Sequence, residues 1–280
     1  MSQPPGFINS QFPTHVCQHR KALCGLKQAP RAWYHELRSF LLFYGFTNVV
    51  FDPSLFIYHH NHQLIYFLVY VDDLVMTGSD PPSITRFIAT ISTKFSIKDL
   101  GSLHYFFGVE VLPTSSGLFL SQHKYIHDLL VRTRMDNAKE VGTPLPTTGS
   151  LVLNDGSPPA NATEYRSVIG ALQYLNLTRS DMSFTINKLS QFMHCLSESH
   201  WIATKRLLRY LKGTIFHGLH LRRHRNPSLH AFSDADWAGN LDDRTSTTTY
   251  VIFLGGNLIS WSSRKQSLFH DLPQKLVSEP

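Results

Sequence analysis

Residues 64–77, LIYFLVYVDDLVMT, place two apolar runs on either side of a pair of aspartates, Asp72 and Asp73. Both runs are rich in β-branched and aromatic residues, which is typical of strands, and the acidic pair between them is typical of a tight hairpin turn. Neighbouring carboxylates repel each other unless a cation lies between them. Hard oxygen ligands suit Mg²⁺, and two-metal phosphoryl chemistry uses such a carboxylate cluster. The stretch therefore predicts either an ordinary hairpin with an acidic turn or a metal-dependent active site.

Composition indicates a globular protein with a polyanionic partner. The 280 residues are enough for one large or two modest domains, and the formal net charge of +6 points mildly towards a polyanionic partner. Three cysteines, Cys17, Cys24 and Cys195, form no CxxC pair, which predicts neither a disulfide framework nor a zinc site. The longest apolar run, residues 64–71, is too short to span a bilayer, and the N-terminus lacks the features of a signal peptide. We therefore expect an intracellular protein, cytoplasmic or nuclear, with no membrane partner.

Apolar spacing predicts the elements around the acidic hairpin. A helical stripe begins near Trp33 and stops at Gly45, and Ser83 is the predicted N-cap of the helix after the hairpin. Further helices are predicted over residues 125–135, 165–176, 182–195 and 200–212, and strands within 95–121 and 229–263. Residues 142–163 are rich in Pro, Gly, Ser and Thr and are the best candidate for a linker.

The tetrapeptide of residues 70–73, YVDD, resembles the YxDD box of reverse transcriptases. Three more stretches follow the pattern of the copia-type LTR-retrotransposon Pol polyprotein in its order: QPPGF at 3–7, LKQAPRAWY at 26–34 and DPSLF at 52–56. The resemblance covers nearly the whole chain, from residue 3 to residue 266. Several independent motifs in order are stronger support than any one of them.

The resemblance implies an RNA-directed DNA polymerase that acts on an RNA template, a DNA primer, dNTPs and an RNA–DNA hybrid. Asp72 and Asp73 would be catalytic ligands of Mg²⁺ or Mn²⁺. Gln28, Arg31 and Tyr70 would bind the incoming nucleotide, with Arg31 meeting phosphate. Without the resemblance, Gln28 and Arg31 are plain residues at the start of a helix. Cys24 stands where the family usually has Tyr.

A second stretch near the C-terminus also resembles the family. SDADWAG at 233–239, followed by RTSTTTY and ISWSSRKQ, is similar to the start of the ribonuclease H domain that closes the polyprotein. Asp234 would then lie at a strand and hold Mg²⁺ for hydrolysis of RNA in a hybrid. Asp236 is the less suitable ligand, and a lone aspartate here is otherwise a surface turn residue.

The predicted helix over residues 200–212 has a basic face. Lys205, Arg209 and Lys212 share it, while leucines fill the other side. Such a face is either simply solvated or, in a polymerase, a surface that follows phosphates without reading sequence.

The predicted fold class is α+β. It combines partial reverse-transcriptase fingers and palm with an antiparallel sheet (residues 1–141), a linker (142–163), a helical thumb or connection (164–224) and an incomplete ribonuclease H-like α/β module (225–280). The resemblance implies truncation at both ends, because the strand with the family's first catalytic aspartate is missing and the pattern is lost after Gln266, where we hypothesise a frameshift. We therefore expect little or no DNA synthesis by this chain alone. The alternatives are a non-catalytic nucleic-acid-binding remnant and an inert decayed element.

Overall fold

The computed structural model describes residues 3–16, 25–60, 62–71, 73–146 and 151–266. The chain forms two compact units, Met1–Ser102 and Leu103–Pro280. Each unit combines helices with sheets whose described strand pairs are all antiparallel. The predicted mixture of helices and antiparallel sheets is therefore confirmed.

The described part of the first unit is a four-stranded sheet, in the order β1-β2-β3-β4, packed against two helices. Its elements are α1 Ala29–Tyr44, β1 Thr47–Asn48, β2 Leu55–His60, β3 Gln63–Tyr70, β4 Asp73–Gly78 and α2 Pro81–Lys94. Strands β3 and β4 confirm the predicted hairpin. The helix predicted from apolar spacing is α1, and it ends at Gly45, whose φ of 109° is left-handed and whose N–H caps the carbonyls of Leu41 and Leu42.

Aromatic rings fill the core between this sheet and its helices. Phe87 of α2 is fully buried, and its ring centroid lies 4.8 Å from that of Tyr44, 5.0 Å from that of Phe46 and 5.8 Å from that of Phe67. Leu37 and Leu41 of α1 are equally buried in the same cluster. This core covers one face of the sheet.

The predicted N-cap of α2 is wrong by three residues. Asp80 is the cap, and its Oδ2 accepts hydrogen bonds from the backbone N–H of Ser83, at 3.1 Å, and from the Ser83 hydroxyl. Pro81 and Pro82 occupy the first helical positions, where a missing N–H is harmless. A helix can therefore begin at the proline pair, and Ser83 becomes a donor to the cap.

Within its described residues, the second unit contains two sheets and four α-helices. The first sheet, in the order β5-β6-β7-β8, consists of Tyr105–Phe106, Val109–Thr114, Gly117–Ser121 and Leu219–Arg222. The second, in the order β11-β10-β9, consists of β9 Leu229–Ala235, β10 Thr247–Leu254 and β11 Asn257–Lys265. The helices are α3 His123–Arg132, α4 Ala162–Tyr174, α5 Ser183–Ser190 and α6 Glu198–Gly213, with 3₁₀ turns at Leu175–Leu177 and Ser180–Met182.

Helices α3 to α6 share an apolar core with one buried cation beside it. Ile126, Ile169, Leu172 and Leu207 are each fully buried in that core. Arg179 is 1% exposed and donates to both carboxylate oxygens of Asp181 and to the carbonyl and hydroxyl of Thr214, just after α6. These bonds satisfy a charge that would otherwise be costly to bury. The predicted helix over residues 182–195 is shorter than expected, because α5 ends at Ser190.

Candidate active site

The acidic turn joins β3 to β4 at one end of the first sheet. Tyr70 and Asp73 are the last paired residues of the hairpin, and Val71 has a left-handed φ of 50°. Asp72, which was predicted as a metal ligand, lies outside the described residues. Asp73 is exposed and Tyr70 is half-exposed, at 50%. The predicted position of the aspartate pair at a hairpin tip is thereby confirmed for its described member.

Strand alternation places Tyr70 and Asp73 on the face of the sheet opposite to the one on which α1 and α2 pack. Phe67 and Val69 of β3 are buried in the core, and their partners Met76 and Leu74 pack against the same core. Successive side chains of a strand point to opposite faces. Tyr70, paired with Asp73, therefore lies on the other face. A carboxylate there remains open to solvent and to a ligand.

The first turns of α1 lie at the same end of the sheet as the acidic tip. The hydroxyl of Tyr34 donates to the carbonyl of Pro53 at 2.6 Å. The next carbonyl, that of Ser54, accepts from the N–H of Val69 at 2.8 Å, one residue before Tyr70. The chain of contacts from α1 through the start of β2 thus reaches the tip of the β3–β4 hairpin.

The direction of α1 brings Gln28 and Arg31 towards that end. At the C-terminal end of the helix, the Tyr44 ring lies 5.9 Å from the Tyr58 ring, far along β2 from the tip. Gln28 is the N-cap and makes no side-chain capping hydrogen bond, and Arg31 is exposed in the first turn. A helix N-terminus carries partial positive charge and attracts phosphate. Gln28 and Arg31 thus lie at the end of α1 that is nearer to Tyr70 and Asp73. Cys24 lies outside the described residues.

Tyr66 belongs to this surface and was not predicted from the sequence. It lies four residues before Tyr70 in β3, on the same face, and is 40% exposed. The period-two alternation of a strand is the signal that would have found it.

Asp234 lies in the second unit, in an exposed strand at the edge of a sheet. Its strand, β9, is at the edge of the three-stranded sheet, and all seven of its residues are exposed. The Oδ1 atom of Asp234 accepts a hydrogen bond from the N–H of Ala235 at 2.8 Å. Asp236 is bound to the neighbouring strand, because its Oδ1 accepts from the N–H of Thr247 at 2.5 Å.

The basic face of α6 is partly used within the unit. Arg209 donates from Nε to the carbonyl of Lys139 at 2.5 Å, and Lys212 donates from Nζ to the carbonyl of Ala138 at 2.9 Å. Lys205 is exposed, with its Nζ 5.4 Å from the centre of the Trp201 ring. The three cations are thus present on one helix, and two of them also hold a loop.

The chemistry of the acidic tip suits a hard divalent cation, since exposed carboxylate oxygens are the ligands that Mg²⁺ and Mn²⁺ prefer. Within the described ranges, which leave out Asp72, no group of three His, Cys, Asp or Glu side chains is placed to hold a metal ion. Asp73 is therefore the described ligand that such an ion would meet. Reverse transcriptases in general use divalent metals.

Comparison with known proteins defines the class to which the chain belongs. The profile of the reverse transcriptase (RNA-dependent DNA polymerase) family matches residues 1–147. This chain belongs to the reverse transcriptase family, and the resemblance to copia-type Pol polyproteins is confirmed.

Its similar relatives include Pol polyproteins of transposons. The retrovirus-related Pol polyprotein from transposon RE1 of Arabidopsis thaliana is 53% identical over 95% of this chain. The corresponding protein from transposon RE2 is 51% identical over the same share, and the chain spans 18% of the length of each. An uncharacterized mitochondrial protein of Arabidopsis thaliana is 44% identical over 72% of this chain and 84% of its own length.

No solved structure matches the chain significantly. Among the described residues, every helix is too short or too polar to cross a lipid bilayer.

Proposed function

We propose that this chain provides the active-site hairpin of an RNA-directed DNA polymerase of retrotransposon origin. Its partners are an RNA template, a DNA primer and dNTPs, its cofactor is Mg²⁺ or Mn²⁺, and it acts inside the cell. One observation carries the proposal: strand alternation puts Asp73 and Tyr70 on the face of the first sheet opposite to α1 and α2, at the end where α1 begins. A fingers and palm assignment for this unit is part of the same proposal.

Each residue at this end has a role that its chemistry supports. Asp72 and Asp73 hold the divalent cations, which supply charge stabilisation to the reacting phosphate. Arg31 and the N-terminus of α1 attract the triphosphate, and Gln28 hydrogen-bonds near the sugar or base. Tyr70 and Tyr66 present aromatic surface against which a nucleotide packs.

Metal binding and primer extension test this site together. We expect Asp73→Asn to weaken Mn²⁺ binding, titrated in the presence of dATP, by about tenfold or more, since removing one charged ligand costs at least about 1.4 kcal/mol. Asp99→Asn is the matched control. Asp99 is also an exposed acid of the first unit, and its Oδ1 accepts from the N–H of Gly101, a bond that Asn retains.

The sequence-based expectation that this chain alone synthesises little or no DNA stays a prediction. It is tested by extension of a primer on an RNA template with Mg²⁺ or Mn²⁺. Robust extension that Asp72→Asn abolishes would contradict the expectation and support the site. Unchanged Mn²⁺ binding in both Asp72→Asn and Asp73→Asn would contradict the site itself.

We also propose that the β9–β11 sheet is part of a ribonuclease H-like module, with Asp234 as a metal ligand. The support is its place on an exposed strand, with its carboxylate facing solvent, whereas Asp236 is used in a hydrogen bond to Thr247. The test is Mg²⁺-dependent cleavage of the RNA strand of a hybrid, with Asp234→Asn beside Asp236→Asn.

Helix α6 supports a proposal of hybrid binding in a thumb or connection. Arg209 and Lys212 each retain further donors beyond their bonds to the 138–139 loop, and Lys205 is exposed. Binding to an RNA–DNA hybrid should weaken as the salt concentration rises. Lys205→Ala should lower the slope of the logarithm of the binding constant against the logarithm of the salt concentration by about one. Hybrid binding without turnover would favour the non-catalytic alternative, and neither activity would favour the inert one.

A further inference from the structure

Residues 151–159, within the stretch predicted as a linker, are attached to the start of α6 and to a neighbouring loop. The N–H of Glu198 donates to the carbonyl of Pro158 at 2.8 Å. The N–H of Leu153 donates to the two carboxylate oxygens of Asp242, at 3.0 and 3.1 Å. A polar segment is thus held at several points rather than left free.

His200 lies at the centre of this attachment and is fully buried. Its Nδ1 accepts from the backbone N–H of Ser197 at 3.1 Å and contacts the Ser197 hydroxyl at 2.9 Å. Its Nε2 lies 2.9 Å from the carbonyl of Val152. The ring stacks on Phe192, with centroids 4.0 Å apart and planes at 13°. One side chain therefore links the N-cap of α6 to the 151–159 segment.

The partners of His200 define its protonation state. A backbone N–H only donates, so Nδ1 facing Ser197 carries no proton. A carbonyl only accepts, so Nε2 facing Val152 carries one. The bonded ring is therefore the neutral Nε2–H form. A proton added at Nδ1 would face the Ser197 N–H, and that capping bond would be lost.

Burial is the largest influence on the ring and lowers the pKa of His200 below its ordinary 6.5. The charges that face it oppose one another, since Asp155 and Asp242 favour the cation and Lys188 disfavours it. Hydrogen bonds, first that from Ser199, lower the pKa of Asp155 to about 2. Asp155 therefore stays ionised in mild acid, and its bond to Ser199 does not change there.

We propose that His200 is an acid-sensitive clamp that holds residues 151–159 on the start of α6 and releases them when it is protonated. The direction of the pH effect follows from the lowered pKa of His200 in the folded state. The neutral ring contributes stability fully above pH 6.5, and this stability is lost as the pH falls below that value. Protonation would thus free residues 151–159, which lie between α3 and α4 in the sequence, from the start of α6.

Hydrogen exchange measured on the full chain tests the clamp. Protection factors, which correct for the pH dependence of intrinsic exchange, should fall in peptides 151–157 and 197–203 between about pH 7.5 and pH 5.5, by up to about tenfold, which is the limit for one histidine with an ordinary pKa of 6.5. His200→Gln should abolish this fall, because Gln is a usual partner at this capping-box position and does not titrate. His127→Gln is the matched control, because His127 is exposed and should leave the fall intact.

Each outcome decides the proposal. Equal protection at both pH values, or a fall that persists in His200→Gln, would overturn it. If His200→Gln does not fold, the unsubstituted chain alone decides: a fall confined to the two peptides supports the clamp, and a fall spread over the whole second unit contradicts it.

Discussion

The β3–β4 hairpin and strand β9 carry the two described candidate metal-binding aspartates, and the two regions differ in how closely the strand that carries the aspartate is packed. Asp73 begins a strand whose sheet has one face packed on a buried aromatic core. Asp234 lies in an edge strand that is exposed along its whole length. Both carboxylates are open to solvent, but only Asp73 lies on a strand that packs against a buried core, because helix α5 contacts the sheet of Asp234 at its other edge strand, β11.

This difference matters because metal and phosphate chemistry depends on fixed geometry. A ligand positioned by packed strands loses little freedom when it binds, whereas a ligand on an exposed edge must be ordered at the moment of binding. We therefore expect the hairpin to be the stronger metal site and β9 to be the place where the chain is most open to local unfolding and to other chains.

The largest expected effect is on stability. Phe87→Ala should destabilise the first unit by about 3–5 kcal/mol, because Phe87 is fully buried against four aromatic rings. Phe232→Ala makes the same change in β9, where the side chain is 61% exposed, and should change stability by less than about 1 kcal/mol. Urea denaturation of both variants measures the contrast. Equal losses would show that β9 is as well packed as the hairpin.

The next effect is on metal affinity. Asp234→Asn should reduce Mn²⁺ binding by less than the reduction of about tenfold expected for Asp73→Asn, since its strand offers no covered face to fix the ligand. Calorimetric titration of both variants under one set of conditions compares them. A larger loss in Asp234→Asn would reverse the proposed ranking of the two sites.

Much of the hairpin side of this comparison could be predicted from the sequence. Apolar spacing located the body of α1 and Gly45 its end, although the helix begins at Ala29, four residues before the predicted stripe. The flanking β-branched runs located β3 and β4, because these signals act over a few residues. The N-cap of α2 was wrongly predicted as Ser83, because the start of the helix was placed after Pro81 and Pro82, whereas the two prolines are its first residues and Asp80 is the cap.

Long-range contacts escaped prediction. Strand β8 pairs with β7, about a hundred residues earlier, and its four residues carry no strong local signal. The attachment of residues 151–159 depends on His200, which spacing alone shows only as one more helical residue. The part of the site contributed by Asp72 stays a prediction, since that residue lies outside the described ranges.

A smaller effect is expected at the edge of the β9–β11 sheet opposite to β9, where Asp243 pairs with Lys265 of β11 at 2.5 Å. The hydrogen bond from Lys265 lowers the pKa of Asp243 to about 2. For a depressed carboxyl, stability is present above its ordinary 3.8 and is lost as the pH falls towards 2. Because the pair is solvent-screened, Asp243→Asn should cost only about 0.2–1 kcal/mol at neutral pH.

Denaturation at neutral pH and at decreasing pH measures this difference, which should shrink below about pH 4. Asp136→Asn is the control, since Asp136 is exposed and its described contact is with the amide of Asn137. A difference that stays constant with pH would show that the pair contributes through geometry and not through charge.

The smallest effect on stability, and the most direct probe of the open edge, is expected from Ser233→Lys. The carbonyl of Asp234 and the N–H of Asp236 face β10, so the backbone groups of Ser233 face outward by alternation. A lysine on such an edge opposes pairing with another chain. Stability should stay within about 0.5 kcal/mol while concentration-dependent self-association, measured by sedimentation velocity, decreases. Ser115→Lys adds the same charge in an exposed turn and should leave self-association unchanged; an equal decrease in both variants would assign the effect to net charge and not to the β9 edge.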